Sequence, residues 1–153
     1  EEMRRQGNTI VKTFCHDFTS PLSGHPLPGF DRILIDAPCS GLGVLRRNPD
    51  TKWSVSESDL SRLHDIQIRL INQLAPLVKP SGMLVYVVCS TEPEENESVV
   101  EAFTRSNRCF QTEPLGSIGL LPSDCITEMG FLKTYPHRLS MDGFFAARLR
   151  RVS

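Results

Sequence analysis

The sequence predicts an α/β fold with a largely parallel sheet, and three observations carry that expectation. Residues 31–37 (DRILIDA) and 83–89 (MLVYVVC) are near-continuous apolar runs, the pattern of strands covered on both faces. Between them lies a long stretch with apolar residues at helical spacing. A shorter helical stretch and a closing apolar segment continue the alternation of strand and helix that defines an α/β domain.

Taken in order, EEMRRQG reads as the last turns of a helix stopped by Gly7. Residues 9–15 (TIVKTFC) are β-branched and aromatic and predict a strand. Residues 17–29 carry three prolines and two glycines and predict a loop. The strand over 31–37 follows, then an irregular loop over 41–53. Ser56 with Asp59 three residues on is a capping signature. The helix it opens has Leu60, Leu63, Ile66, Leu70 and Leu74 on one stripe, and KPSG (79–82) predicts the turn that ends it. After the strand over 83–89, Pro93 and the acids behind it predict a helix over 93–106. Short strands are expected within 109–115 and within GFLKTY, and a final strand over 143–151. The last two follow each other through a loop, which predicts an antiparallel strand near the C-terminal edge.

Length and charge narrow the function classes. The 153 residues suffice for one domain with a core. A net charge of -1 argues against a freestanding polybasic nucleic-acid binder but permits local basic contacts with RNA. No apolar run approaches the ~20 residues of a membrane span, and no signal-peptide pattern opens the chain, so a cytoplasmic protein is expected. The five cysteines include no C-x-x-C pair, so neither a disulfide framework nor a metal site is expected.

Two of those cysteines end core strands. Asp36-Ala37-Pro38-Cys39-Ser40-Gly41 closes the first apolar run, and Cys89-Ser90 closes the second. Open α/β sheets bind ligands beyond the carboxyl ends of their strands. If the two strands are neighbours, Cys39, Cys89 and Asp36 face one cleft, and two thiols beside a carboxylate point to covalent chemistry.

DAPCSGLGVLRRNPDTKW, KPSGMLVYVVCSTEPEENE and DGFFAARLRR resemble, in order and spacing, three motifs of the Sun/Nop family of RNA (cytosine-5) methyltransferases. The bacterial 16S ribosomal RNA enzymes look nearest, and the resemblance spans nearly the whole chain. It implies a Rossmann-like methyltransferase fold, S-adenosylmethionine as cofactor and RNA, above all ribosomal RNA, as partner. It implies Cys89 as the nucleophile on carbon 6 of cytosine, Cys39 as the residue that assists release, and Asp36 as the group on the base's edge. Pro38 shapes the turn that holds Cys39. Asp17, Asp36 and Pro38 are expected to border the cofactor. Arg46, Arg47 and Lys52 are expected on RNA phosphates. For Trp53 the preferred reading is an anchor to the core, and the competing one a base-stacking platform.

The sequence departs from that family in lacking its opening strand and A-P-G-G-K-T turn, the following strand with its ribose-binding acid, and the N-terminal RNA-binding region. Residues 1–153 are therefore expected to be one partial domain, the C-terminal part of the catalytic domain, without the first two strands. Such a chain should bind S-adenosylmethionine weakly or not at all, be inactive alone, and dimerise through bared sheet surface. Val88 stands where the family usually has a small hydroxyl residue. Competing readings are a non-catalytic RNA- or protein-binding module on this scaffold, a thiol hydrolase or redox enzyme, and a DNA-directed relative.

Overall fold

The computed structural model describes residues 7, 9–20, 27–119, 121–138 and 140–153. The helical reading of residues 1–6 lies outside them. The elements run β1 (Phe30–Asp36), α1 (Thr51–Ser54), α2 (Glu57–Leu74), β2 (Val78–Val88), α3 (Glu97–Ser106), β3 (Phe110–Thr112), β4 (Leu132–Lys133) and β5 (Phe145–Arg151). The sheet order is β1-β2-β5-β3, with β4 also on β5.

β1 and β2 pair in parallel, from Arg32 opposite Met83 to Asp36 opposite Val87. β5 then pairs antiparallel with β2, β3 and β4. The α/β class and the antiparallel C-terminal strand are as expected. Among the described strands, however, β1–β2 is the one parallel pair, so this part of the sheet is mixed where a largely parallel one was expected. The reason is connectivity. A parallel pair needs a helical crossover, which α2 supplies between β1 and β2, whereas β4 returns to β5 through a loop.

Two boundaries differ from the sequence reading. KPSG does not end a helix; it bulges out of β2 opposite Asp31, with Ser81 at φ 62°. Helix α2 stops earlier, at Leu74, followed by a 3-10 turn over Ala75–Leu77. Helix α3 begins at Glu97 rather than Pro93, because Asn96 is non-helical (φ -106°, ψ -102°) and residues 93–96 form turns.

Residues 9–15 form no strand. A strand is defined by ladder pairing of its N–H and C=O groups, and no described strand pairs with this segment. Ile10 and Phe14 are 90% and 71% exposed, and the segment lines a groove with Phe30, Ile33, Leu74 and Leu77.

The core lies between the helices and the sheet. Val78, Leu84, Tyr86, Val88, Phe145, Ala147 and Leu149 meet Ile71 of α2 and Val99, Val100 and Phe103 of α3. The predicted box at α2 is present: Ser56 N–H and Oγ both donate to Asp59 Oδ2, at 3.1 and 2.6 Å. The fully packed face of α2 is Leu63, Gln67 and Ile71. A glutamine in that stripe is explained by the site. No helix among the described residues is long and apolar enough to cross a membrane.

Candidate active site

The parallel register of β1 and β2 carries both cysteine turns to the same end of the sheet. Ala37 N–H donates to Val87 O (3.0 Å), continuing the ladder one residue past β1. Each strand then releases a Cys-Ser dipeptide. Cys39 Sγ and Cys89 Sγ stand 3.0 Å apart, and the Ser40 and Ser90 hydroxyls 3.4 Å apart. The serines are buried and the cysteines half-buried, so the hydroxyls face inward and the thiols lie nearer solvent. Both thiols are free.

Burial, and then the neighbouring Cys89, push the Cys39 thiol up from 9.0 to about 12. Losing its proton would put a charge in a desolvated place beside a second sulfur. Burial therefore favours the neutral thiol at Cys39.

A buried carboxylate holds the Cys39 turn. Glu95 Oε1 accepts from Ser40 N–H (2.9 Å) and Gln67 Nε2 (3.1 Å), and Oε2 accepts from Ser40 Oγ (2.5 Å). Gln67 Nε2 also donates to Pro38 O (2.9 Å). On the other turn, Asn96 Nδ2 donates to Ser90 O (3.2 Å), and Tyr86 Oη donates to Glu95 O (2.7 Å). Sequence reading took the acids behind Pro93 as the start of a helix. It missed Gln67, Ser40 and Tyr86. The available signal was Gln67's place between Leu63 and Ile71 on the apolar stripe.

A third segment closes the site through backbone. Gly43 N–H donates to Cys89 O (3.0 Å), and Gly143 N–H donates to Gly43 O (2.7 Å). A Cβ on Gly43 would lie 2.1 Å from Gly143 O, so this approach admits only glycine there. Asp142, before that glycine, is buried and pairs with the guanidinium groups of both Arg46 and Arg47. The Arg46 hydrogen bond leads in holding its carboxyl below the ordinary carboxylate range.

The residues singled out from sequence are thus distributed unevenly. Asp36 and Pro38 lie exposed at the carboxyl end of β1, leading into Cys39. Arg46 and Arg47 are tied to the site through Asp142, with exposed guanidinium surface remaining. Lys52 is exposed and sits over the Trp53 ring, 5.1 Å from its centroid. Trp53 is 82% exposed, so it does not anchor its loop to the core as preferred from sequence. Helix α1 is too short to fold the ring inward. Asp17 is exposed too, its Oδ1 accepting from Thr19 N–H (2.9 Å) and Thr19 Oγ1 (2.6 Å). That is a loop cap, and its bonds, led by Thr19's hydroxyl, lower its pKa. Among the described residues no group of three His, Cys, Asp or Glu could hold a metal ion.

Comparison with known proteins identifies the family. A family model described as 16S rRNA methyltransferase RsmB/F matches residues 1–150. The chain is 41% identical over 153 residues to the probable ribosomal RNA small subunit methyltransferase B of Bacillus subtilis, covering 99% of this chain and 34% of that protein. It is 37% identical over 149 residues to the protein so named in Synechocystis, covering 97% of this chain and 33% of that one. Among solved structures, NSun6 from Pyrococcus horikoshii with SFG superposes with a TM-score of 0.79 at 27% identity, over 99% of this chain and 37% of that one. The chain spans about a third of the length of these relatives.

Proposed function

Because the chain belongs to the RsmB/F family of 16S rRNA methyltransferases, we propose that it supplies the reacting groups for methylating carbon 5 of a cytosine in ribosomal RNA. The 3.0 Å pairing of Cys39 with Cys89 beyond the carboxyl ends of parallel strands carries this reading. Methylation at a cytosine nitrogen or a ribose hydroxyl has no use for two thiols.

Cys89, as thiolate, adds to carbon 6 of the base, which makes carbon 5 electron-rich. Asp36, exposed at the carboxyl end of β1 three residues before Cys39, takes the polar edge of the base. S-adenosylmethionine, when bound, supplies an electrophilic methyl group. Product release then requires loss of the carbon-5 proton and scission of the bond between Cys89 and carbon 6. Cys39, a neutral thiol against Cys89, hands its proton to the departing sulfur and accepts the carbon-5 proton, ending as it began.

The residues present fit one wall of a cofactor site. Asp36 and Pro38 are exposed at the strand end where α/β sheets bind ligands. Asp17, engaged with Thr19, fits less well. The structure with SFG, an S-adenosylmethionine analogue, supports that cofactor class. Arg46, Arg47 and Lys52 are basic and exposed beside the first cysteine turn and would meet RNA phosphates. The activity is that of the full-length protein, acting in the cytoplasm. This chain alone should bind cofactor weakly and not turn over, and micromolar affinity in a calorimetric titration would contradict that. A non-catalytic binding module on this scaffold leaves the matched thiols without a purpose.

The deciding experiment presents RNA containing 5-fluorocytosine to the full-length protein. Fluorine blocks loss of the carbon-5 substituent and traps the adduct. The adduct should vanish in Cys89→Ala and persist in Cys39→Ala. The reverse pattern would make Cys39 the nucleophile, and no adduct in either would remove the covalent route.

A further inference from the structure

Glu95 is fully buried, and among the described residues it has no ion-pair partner. Burying a carboxylate without a cation is costly unless hydrogen bonds compensate. Here three donors do so, and all belong to groups that fix Cys39. Ser40 offers its N–H and its hydroxyl from the residue just after the cysteine. Gln67, also fully buried, bridges from Glu95 to the Pro38 carbonyl just before it. The peptide groups on both sides of Cys39 are therefore bonded to one Glu–Gln unit. That unit belongs equally to the other thiol. Glu95 lies six residues after Cys89 in the same turn, its main-chain oxygen is held by Tyr86, and the neighbouring Asn96 holds Ser90.

We propose that Glu95, with Gln67, is a positioning residue that sets the separation of the two thiols. It touches neither base nor cofactor and acts through Ser40 and Pro38. The proposal rests on the assignment of Cys39 and Cys89 as the reacting pair. Its geometric part can be read without any activity. Glu95→Gln is nearly isosteric and can keep its oxygen toward Ser40 N–H and Gln67 with its NH2 toward the Ser40 hydroxyl, but it removes the charge that strengthens all three bonds.

The test uses phenylarsine oxide, whose single arsenic is held tightly only where two thiols can bridge it. The native chain should bind it as a dithiol, and Glu95→Gln should weaken binding at least ~10-fold, the scale of one charge-assisted hydrogen bond. Phe103→Leu, a core change away from the thiols, is the control for general destabilisation. Ser40→Ala, which removes one Glu95 bond and adds no donor, should weaken binding less and serves if Glu95→Gln does not fold. In the full-length protein, Glu95→Gln should lower kcat with the KM values for RNA and cofactor within ~2-fold. Arsenical affinity unchanged in a folded variant, or reduced no more than in Phe103→Leu, overturns the proposal. So does weakened affinity with an unchanged kcat. Failure of the functional reading looks different: Cys89→Ala would still methylate, whatever the arsenical shows.

Discussion

Alkylation of the native chain with iodoacetamide at pH 8 should leave Cys39 nearly untouched while exposed Cys15 reacts. The thiolate is the reacting form, and the Cys39 thiol is raised to about 12 from an ordinary 9.0. That shift lowers its thiolate population at pH 8 by ~1000-fold, while the stronger basicity of the remaining thiolate restores ~20-fold. The net expectation is a rate ~50-fold below that of an ordinary exposed thiol, before any steric effect of burial. Peptide-resolved mass spectrometry of timed samples gives the rate for each cysteine separately. Replacing Cys89 by Ala removes the second and third causes of the shift but not burial, the first. Cys39 should then react faster, yet still more slowly than Cys15. The linkage sign is also fixed. A thiol raised on folding favours the folded state below pH ~9, and that contribution is lost as pH rises toward 12. Alkylation of Cys39 within ~5-fold of Cys15 at pH 8 would refute the desolvated, neutral thiol and the proton relay built on it.

Other outcomes follow from single contacts. Tyr86→Phe leaves the buried Glu95 carbonyl without its Tyr86 donor and should cost ~1–2 kcal/mol in urea unfolding; a loss below ~0.3 kcal/mol would mean the bond carries no weight. The Asp142 carboxyl is held low by Arg46, so its contribution to stability is present above pH ~4 and lost as pH falls through the depressed folded value. Asp142→Asn should flatten that acid limb of the urea midpoint. Trp53, the sole tryptophan, should emit at solvent-like wavelengths and be fully quenched by acrylamide, and Trp53→Ala should shift stability by less than ~0.5 kcal/mol. Leu34, 68% exposed on β1, belongs to an apolar edge that should drive self-association of the isolated chain; a monodisperse monomer in light scattering would count against it.

The sequence was most legible where pattern and physics coincide. Two apolar runs gave β1 and β2, and because side chains of parallel strands share an end, their cysteines could be expected to meet. The capping box at Ser56 was readable because its two residues are three apart. Residues 9–15 misled because β-propensity measures fitness for a ladder, and this segment lies against β1 without entering one. Trp53 misled because a large aromatic residue is usually buried, while a four-residue helix cannot turn it inward. Gln67 was hidden for another reason. Its partners, Pro38 and Glu95, are 29 and 28 residues away and are brought to it only by tertiary packing. The Gly43–Gly143 contact lies further still from any local signal, since neither glycine shows in sequence which backbone will approach it.

That contact makes the site a late product of folding. The thiols belong to β1 and β2, but Cys89 O is tied to Gly43, and Gly43 to Gly143 just ahead of β5. β5 follows the other described elements in sequence and sits inside the sheet, between β2 and β3. A growing chain therefore carries both cysteines long before the backbone that frames them arrives. Until β5 inserts, they stand on a parallel strand pair without the Gly43–Gly143 tie. Insertion of β5 and completion of the reactive centre become a single event, so a polypeptide interrupted before residue 143 would carry the nucleophile without the Gly143 contact.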